Sequence, residues 1–272
     1  MTDKVFNTGE TQTELRAKYN PEGSILRRAQ IRMLDMLLYF DKVCKEQKIP
    51  YRIDGGNVLG AVRHGGFIPW DDDIDVVIMR KDLKRLCNYL IKNPHPQYKL
   101  QTFKTDPGYV GPWIVLRDTK SEYIKDGFVH NARKYRGLQV DIFPYENRVI
   151  KPLYKIAAKI TTLNKKWFIG RHLRIARFID RLQHKIINPI FRTIGWIFGN
   201  PNIYMYPYGS RIYRFHTSKS QFPYKDICFE GHLFPGPADP DLFCKEFYGD
   251  RYMDLPDISS RNHHKATCRI WD

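Results

Sequence analysis

No two cysteines of this 272-residue chain are close enough to form a CxxC, and their number, five, is odd. Cys44, Cys87, Cys228, Cys244 and Cys268 therefore do not read as a disulfide framework, and a reducing compartment is expected. Three of them, Cys228, Cys244 and Cys268, taken with His263 or His264, match no standard zinc spacing. The N-terminal stretch "MTDKVFNTGETQTELRAKYN" lacks the apolar segment of a secretory signal. No run of about 18 uninterrupted apolar residues occurs either, which argues against a spanning helix. A cytoplasmic protein is expected.

Acid is scarce in one segment. Between Lys151 and Arg214, 13 Lys and Arg stand against one acid, Asp180, so this stretch holds a net +12 of the chain's +16. The excess charge belongs to an insertion and not to the chain at large. Three regions follow: a catalytic core over 1–150, a basic amphipathic helical insertion over 151–214, and a return to the catalytic domain over 215–272.

Elsewhere the pattern alternates helices and strands. Leu26, Ala29, Met33, Leu37, Phe40 and Cys44 recur at helical spacing within residues 25–46, behind Ser24 as N-cap. A short strand "YRID", a helix "VLGAVRH", a strand over 73–79 and a helix "KDLKRLCNYLIK" come next. Further strands are expected at 98–104, "WIVLRD" and "GLQVDIF", and "DPDLFCKEFYG" reads as a helix capped by Asp239 and stopped by Gly249. This order describes an α/β or α+β domain.

Carboxylates are concentrated at one point, "WDDDIDVVIM". Strand side chains alternate faces, so Asp73 and Asp75 share one, about 7 Å apart along the chain. Ile74, Val76 and Ile78 face the other way. Like charges in a poorly solvated site raise a pKa or recruit a cation, and an oxygen-only set suits Mg²⁺ or Mn²⁺. Asp71 has the same parity and can add a ligand; Asp72 has the opposite parity and is expected in solvent or as a loop acceptor. The bland reading is a charged loop ahead of a strand.

Gly55, Gly56 and Asn57 lie between a strand and a helix, where glycine lets backbone approach a ligand and a helix N-terminus favours phosphate. An ordinary tight turn would look the same. Arg63 and His64 end that helix and suit either a phosphate or the helix C-terminus. Asp141 is the one acid in the apolar strand "GLQVDIFP", where a lone carboxylate is costly unless paired or solvated in a cleft. If its strand neighbours that of Asp73 and Asp75, three carboxylates converge.

The stretch "GGNVLGAVRHGGFIPWDDDIDV" resembles the signature of the LicD family, the phosphocholine transferases grouped with the fukutin-type enzymes. The segments "LRDT" at 116–119, "VDIFP" at 140–144, "FE" at 229–230 and "YGDRYMDLP" with His263 and His264 resemble its later blocks. The likeness covers roughly residues 25–145 and 220–265 and leaves the insertion out. It implies an α+β fold of the nucleotidyltransferase (polymerase β-like) type, a mixed sheet flanked by helices. It also implies metal-dependent transfer of a phospho-alcohol group from a CDP-linked donor, CDP-choline or another CDP-alcohol, to a hydroxyl of a cell-surface glycan or its lipid-linked precursor.

In that reading Asp73 and Asp75, with Asp71, hold Mg²⁺ or Mn²⁺. Asp141 either joins the metal shell or takes the acceptor's proton. Gly55, Gly56, Asn57, Arg63 and His64 cradle the donor. The competing readings are a nucleotidyltransferase, a D-x-D glycosyltransferase using a nucleotide sugar, and, from the pI of about 9.6, a non-enzymatic nucleic-acid binder, for which no motif is present. The insertion alternates Lys or Arg with Ile, Leu, Phe and Trp. This is the pattern of amphipathic helices lying at the inner face of an anionic membrane, with Lys165, Lys166, Arg171, Arg174 and Arg177 as contacts. A solvated helical subdomain is the alternative.

Overall fold

A computed structural model describes residues 3–124, 128–169, 171–261 and 267–271. His263 and His264 lie outside the described residues. Helix α1 spans Gln12–Tyr19 and α2 spans Ile25–Glu46, the latter capped by Ser24, whose hydroxyl accepts from the Arg27 amide. Strand β1 is Tyr51–Ile53, α3 is Gly55–His64, β2 is Asp75–Met79 and α4 is Arg80–Lys92. Strands β3 (Tyr98–Gln101), β4 (Ile114–Asp118) and β5 (Ser121–Ile124), helix α5 (Phe128–Asn131) and strand β6 (Gln139–Asn147) complete the first half.

Helix α6 spans Lys151–Trp167; α7, Leu173–Leu182, runs through one π-helical stretch, Gln183–Ile187, into α8, Asn188–Phe198. Strands β7 (Ile203–Met205) and β8 (Phe215–Thr217), helix α9 (Ser218–Gln221), hairpin strands β9 (Lys225–Phe229) and β10 (His232–Gly236), helix α10 (Pro240–Tyr248) and strand β11 (Thr267–Ile270) follow.

The architecture is a mixed α/β one. The main sheet runs β1–β2–β6–β4–β3, with β7 on the far end of β6 and β8 beside β7. Among the described residues only β2 and β6 pair in parallel, and their register sets Asp75 opposite Asp141. Alternation along β2 works as expected of a central strand: Ile74, Val76 and Ile78 enter the main core with Met33, Leu37 and Phe40 of α2, while Val77 packs with Phe143, Tyr145 and Tyr206 on the opposite face.

Element bounds shift in four places. The acidic strand begins at Asp75, so Asp71, Asp72 and Asp73 belong to the loop before it. Strand β3 stops at Gln101, because Thr102 and Thr105 close a hydrogen-bonded turn there. Strand β6 continues to Asn147, where β7 extends its pairing. Helix α3 includes the glycine pair instead of following it.

Beneath the sheet lies a polar core. Arg52 of β1 is fully buried; its guanidinium donates to Asp54, at 2.7 Å, to the Ile53 carbonyl, to Tyr145 at 3.1 Å and to Gln221. It also lies 4.8 Å from the Phe243 ring centroid. Tyr206, which follows β7, donates to the other oxygen of Asp54. Residues 152 positions apart in the chain therefore meet at one carboxylate of a buried ion pair. Removing one member of a buried pair strands the other charge, at about 3–5 kcal/mol. Arg52→Met should lower the urea-unfolding free energy by about that amount, and a loss below about 1 kcal/mol would mean the network is dispensable.

Candidate active site

Helix α3 opens without a side-chain cap, and its first residue, Gly55, has φ +52°, a left-handed conformation that favours glycine. The adjoining backbone is pressed against carboxylates. A Cβ on Gly55 would lie 3.2 Å from Asp75 Oδ2, and one on Gly56 would lie 2.8 Å from Asp71 Oδ2. The glycine pair thus lets the acids sit flush against the helix start.

The acidic loop is braced from every side. Asn57 accepts from the Asp75 amide at 2.6 Å and donates to the Asp73 carbonyl at 3.3 Å. Gln30 donates to the Asp71 carbonyl at 2.9 Å, and the Tyr123 hydroxyl donates to that of Asp72. Glu230 accepts from the Phe67 amide and from Arg27. Asn57 is therefore buried and committed to the loop, and does not face a ligand as expected. Asp72 is also buried, at 6% exposure, and not in solvent as its parity suggested, because the loop turns it inward ahead of the strand.

Asp71, Asp73 and Asp75 line one wall of a cleft of about 950 Å³, with Gly55 and Gly56 beside them. Burial, then repulsion from Asp73 and neighbouring acids, pushes the Asp71 and Asp75 carboxyls well above the ordinary range. The facing wall comes from the C-terminal segment: Phe247, Tyr248, Arg251, Tyr252, Asp254 and Asp257.

Asp141 pairs in register with Asp75 but is not among the residues lining the cleft. Its oxygens accept from Trp113 Nε1 at 3.1 Å and from Gln139 Nε2 at 2.6 Å. Burial pushes it up to about 6, against the pull of Arg117 and with a further push from Asp73. Among the described residues no three His, Cys, Asp or Glu side chains are drawn together into a ready metal cage, so the four-carboxylate set expected of Asp71, Asp73, Asp75 and Asp141 is not gathered as one. Two features still suit a hard cation at the three cleft acids: an all-oxygen donor set, and glycines that leave space where a Cβ would intrude.

The end of α3 departs from expectation. Arg63 lines the cleft, but its guanidinium donates to the carbonyls of Tyr252 and Asp254, both at 3.0 Å, and so fastens the facing wall. His64 lies away from the cleft, against Phe6 and Trp70, with Nδ1 2.6 Å from Gln12. Burial and the Arg63 cation push it down to about 2, so it is neutral and no phosphate clamp.

Tyr206, Tyr248, Arg251 and Tyr252 were missed as site residues. The dense mix of charge and aromatics in "YGDRYMDLP" was the available signal for the last three. Tyr206 left none, since only folding brings it to Asp54.

Residues 48–176 match the family model described as LicD/FKTN/FKRP, nucleotidyltransferase domain. The chain is 27% identical over 261 residues, 88% of its length and 95% of the relative's, to the lipopolysaccharide cholinephosphotransferase LicD of Haemophilus influenzae. It is 42% identical over 45 residues to the human ribitol 5-phosphate transferase FKRP, covering 16% of this chain and 9% of that protein. An uncharacterized Rickettsia prowazekii protein is 54% identical over 37 residues, 14% of each chain.

Because the folded-state carboxyl of Asp75 holds its proton more tightly than the unfolded chain does, the folded state binds more protons above the ordinary carboxylate range, and stability falls as pH rises there. Asp75→Asn should therefore be more stable than the wild type at pH 7 in EDTA, with the advantage shrinking as pH approaches about 4. Equal stability at pH 7 would argue that the acids do not repel one another.

Proposed function

We propose that this chain is a member of the LicD family and transfers a phospho-alcohol group, phosphocholine foremost, from a CDP-linked donor to a hydroxyl of a cell-surface glycan or its lipid-linked precursor. The observation that carries this reading is the cleft itself, with Asp71, Asp73 and Asp75 repelling one another and aromatic residues, Arg251 and further acids from the C-terminal segment completing its lining. The likeness to both a cholinephosphotransferase and a ribitol 5-phosphate transferase supports the class of chemistry. The mixed sheet is compatible with a nucleotidyltransferase-type core.

Asp71, Asp73 and Asp75 would hold Mg²⁺ or Mn²⁺. When bound, such an ion neutralises charge on the donor diphosphate and on departing CMP. The braces on the acidic loop keep the three carboxylates in place before substrate arrives, which favours electrostatic stabilisation over reorganisation. The acceptor oxygen attacks phosphorus, the bond to the CMP oxygen breaks, and the hydroxyl proton passes through a water to Asp141, which lies one strand from Asp75 behind the cleft lining. A carboxyl near pKa 6 is mostly ionised at neutral pH and basic enough to take that proton. Tyr206, Phe247 and Tyr248 present aromatic surface to the cleft, which suits a quaternary ammonium group such as choline.

Membrane association forms the second half of the proposal. Among the described residues no helix is long and apolar enough to cross a membrane. Along α7 and α8, however, Ile175, Phe178, Leu182, Ile186, Ile190 and Ile197 recur at helical spacing and are all more than a third exposed. Trp196 and Phe198 are 71% and 77% exposed. Arg171, Arg174, Arg181 and Lys185 flank this stripe in solvent. Such a surface suits the inner leaflet, where a lipid-linked acceptor would be presented. Two of the contacts expected from sequence do not serve. Lys165 lines an internal cavity, and Arg177 donates to the Pro107 carbonyl at 2.7 Å over the Phe103 ring.

With CDP-choline, other CDP-alcohols and nucleotide sugars offered alongside Mg²⁺, CMP should be released from a CDP-alcohol and EDTA should abolish it. Asp73→Asn, Asp75→Asn and Asp141→Asn should each lose about 10²-fold or more in rate. UDP release from a nucleotide sugar, without CMP from any CDP-alcohol, would sink the phospho-alcohol reading; retention of CMP on the product would make the chain a nucleotidyltransferase.

In sedimentation, the protein should accompany anionic but not neutral vesicles and be partly released by about 1 M NaCl. Phe178→Ser with Trp196→Ser, or Arg171, Arg174, Arg181 and Lys185 changed to Ser, should abolish it. Wild-type protein left in the supernatant at low salt would rule out docking.

A further inference from the structure

A second cavity, of about 390 Å³, opens between the insertion and the sheet. Trp113, from just ahead of β4, forms one side; Lys165 and Lys166 of α6 and Arg211, from the chain returning out of the insertion, supply three cations. No acid lines it among the described residues. Ile212 belongs to the walls of both this cavity and the acidic cleft, so the two spaces adjoin. Trp113 also ties the cavity to Asp141, one strand from Asp75. Its N–H donates to Asp141, and its ring centroid lies 5.5 Å from the Lys165 ammonium.

No carboxylate lining the cavity offsets this positive charge among the described residues. Lys165 is largely enclosed yet makes no hydrogen bond or salt bridge to a described residue. Burial, with Arg133 close by, pushes its ammonium down to about 8, although Asp180 and Asp141 pull the other way. Arg133 stacks 5.5 Å from the Tyr109 ring, and its Nε is buried without a partner among the described residues. Tyr109 in turn donates to the Trp113 carbonyl. A partly enclosed ammonium such as Lys165, with no lining counter-charge, is costly, and a bound anion relieves that cost.

We propose that this basic cavity is a second anion-binding site, taking a phosphate or carboxylate group carried by the acceptor. Seated there, the acceptor has its charged group beside Lys165, Lys166 and Arg211 and its chain leading past Ile212 towards Asp141 and the acidic cleft. The site is separate from the three cleft carboxylates, which would repel the same group. Its assignment to the acceptor rests on the transfer reading; anion binding itself does not.

Inorganic phosphate is the probe, titrated calorimetrically into the whole protein in EDTA, so that no metal can bridge phosphate to the acidic cleft. The wild type should bind it. Lys165→Met should weaken binding about tenfold or more, the loss expected for a charged hydrogen bond, and so should Lys166→Ser combined with Arg211→Gln. The double variant carries the test if Lys165→Met does not fold, because Lys166 and Arg211 are exposed. Lys84→Ser, at an exposed lysine of α4, and Asp73→Asn should bind as the wild type does. No binding by the wild type, or equal binding by the Lys166 and Arg211 double variant, overturns the site. In transfer assays that double variant should raise the acceptor KM about tenfold while kcat and the CDP-donor KM hold. A raised donor KM with an unchanged acceptor KM overturns the acceptor assignment. If the wild type transfers nothing but still binds phosphate, the transfer reading fails and the anion site stands.

Discussion

Mutual repulsion among buried carboxylates is the constraint around which the rest of this molecule is arranged. Asp71, Asp73 and Asp75 lie along one cleft wall, and Asp141 sits one strand away from Asp75. Left to themselves, such groups would swing into water. They are kept in place because the loop that carries them has its backbone tied by Gln30, Asn57 and Tyr123, and its approach tied by Glu230. Each tie uses a side chain from a different element, so the loop is only as ordered as the packing of α2, α3, β5 and the β9–β10 hairpin around it. The fold thus holds the three carboxyls in a fixed arrangement along the cleft wall.

Behind the repulsion stands an attraction. Arg52 and Asp54 form a fully buried ion pair directly under the start of α3, with Tyr206, just after β7, closing it. The Asp54 amide also donates to the Asp75 carbonyl. The same short segment therefore anchors the acidic strand, begins the glycine turn and recruits the chain that returns from the insertion. The basic segment 151–214 is thereby tied back to the sheet: β7 pairs with β6, and Tyr206 reaches Asp54 under the start of α3.

The basic residues of 151–214 are turned in three directions. Outward-facing arginines and lysines flank an apolar stripe on α7 and α8, while Lys165 turns inward beside Trp113. Arg192 is spent on a third, structural use, in a bidentate pair with the buried Glu146 at the end of β6. A tally of basic residues cannot separate these uses, because helical phase and the position of the sheet decide which side each one faces.

Much of the site was legible from local pattern alone. Period-two alternation in "DIDVVIM" assigns Ile74, Val76 and Ile78 to the core whatever the sheet order, since strand geometry is set by adjacent residues. The capping signals of Ser24 and Asp239 act within one helical turn and were equally readable. Other features depended on register and on contacts between distant segments. That Asp141 lies opposite Asp75 follows from a parallel pairing between strands more than 60 residues apart. That His64 turns away and is neutral, that Arg63 is consumed by the C-terminal wall, and that Asp72 is buried all depend on what packs against them. Local spacing dictates which face a side chain takes on its own element. Only the assembled structure decides what stands opposite that face, and hence whether a charge meets water, a partner or a ligand.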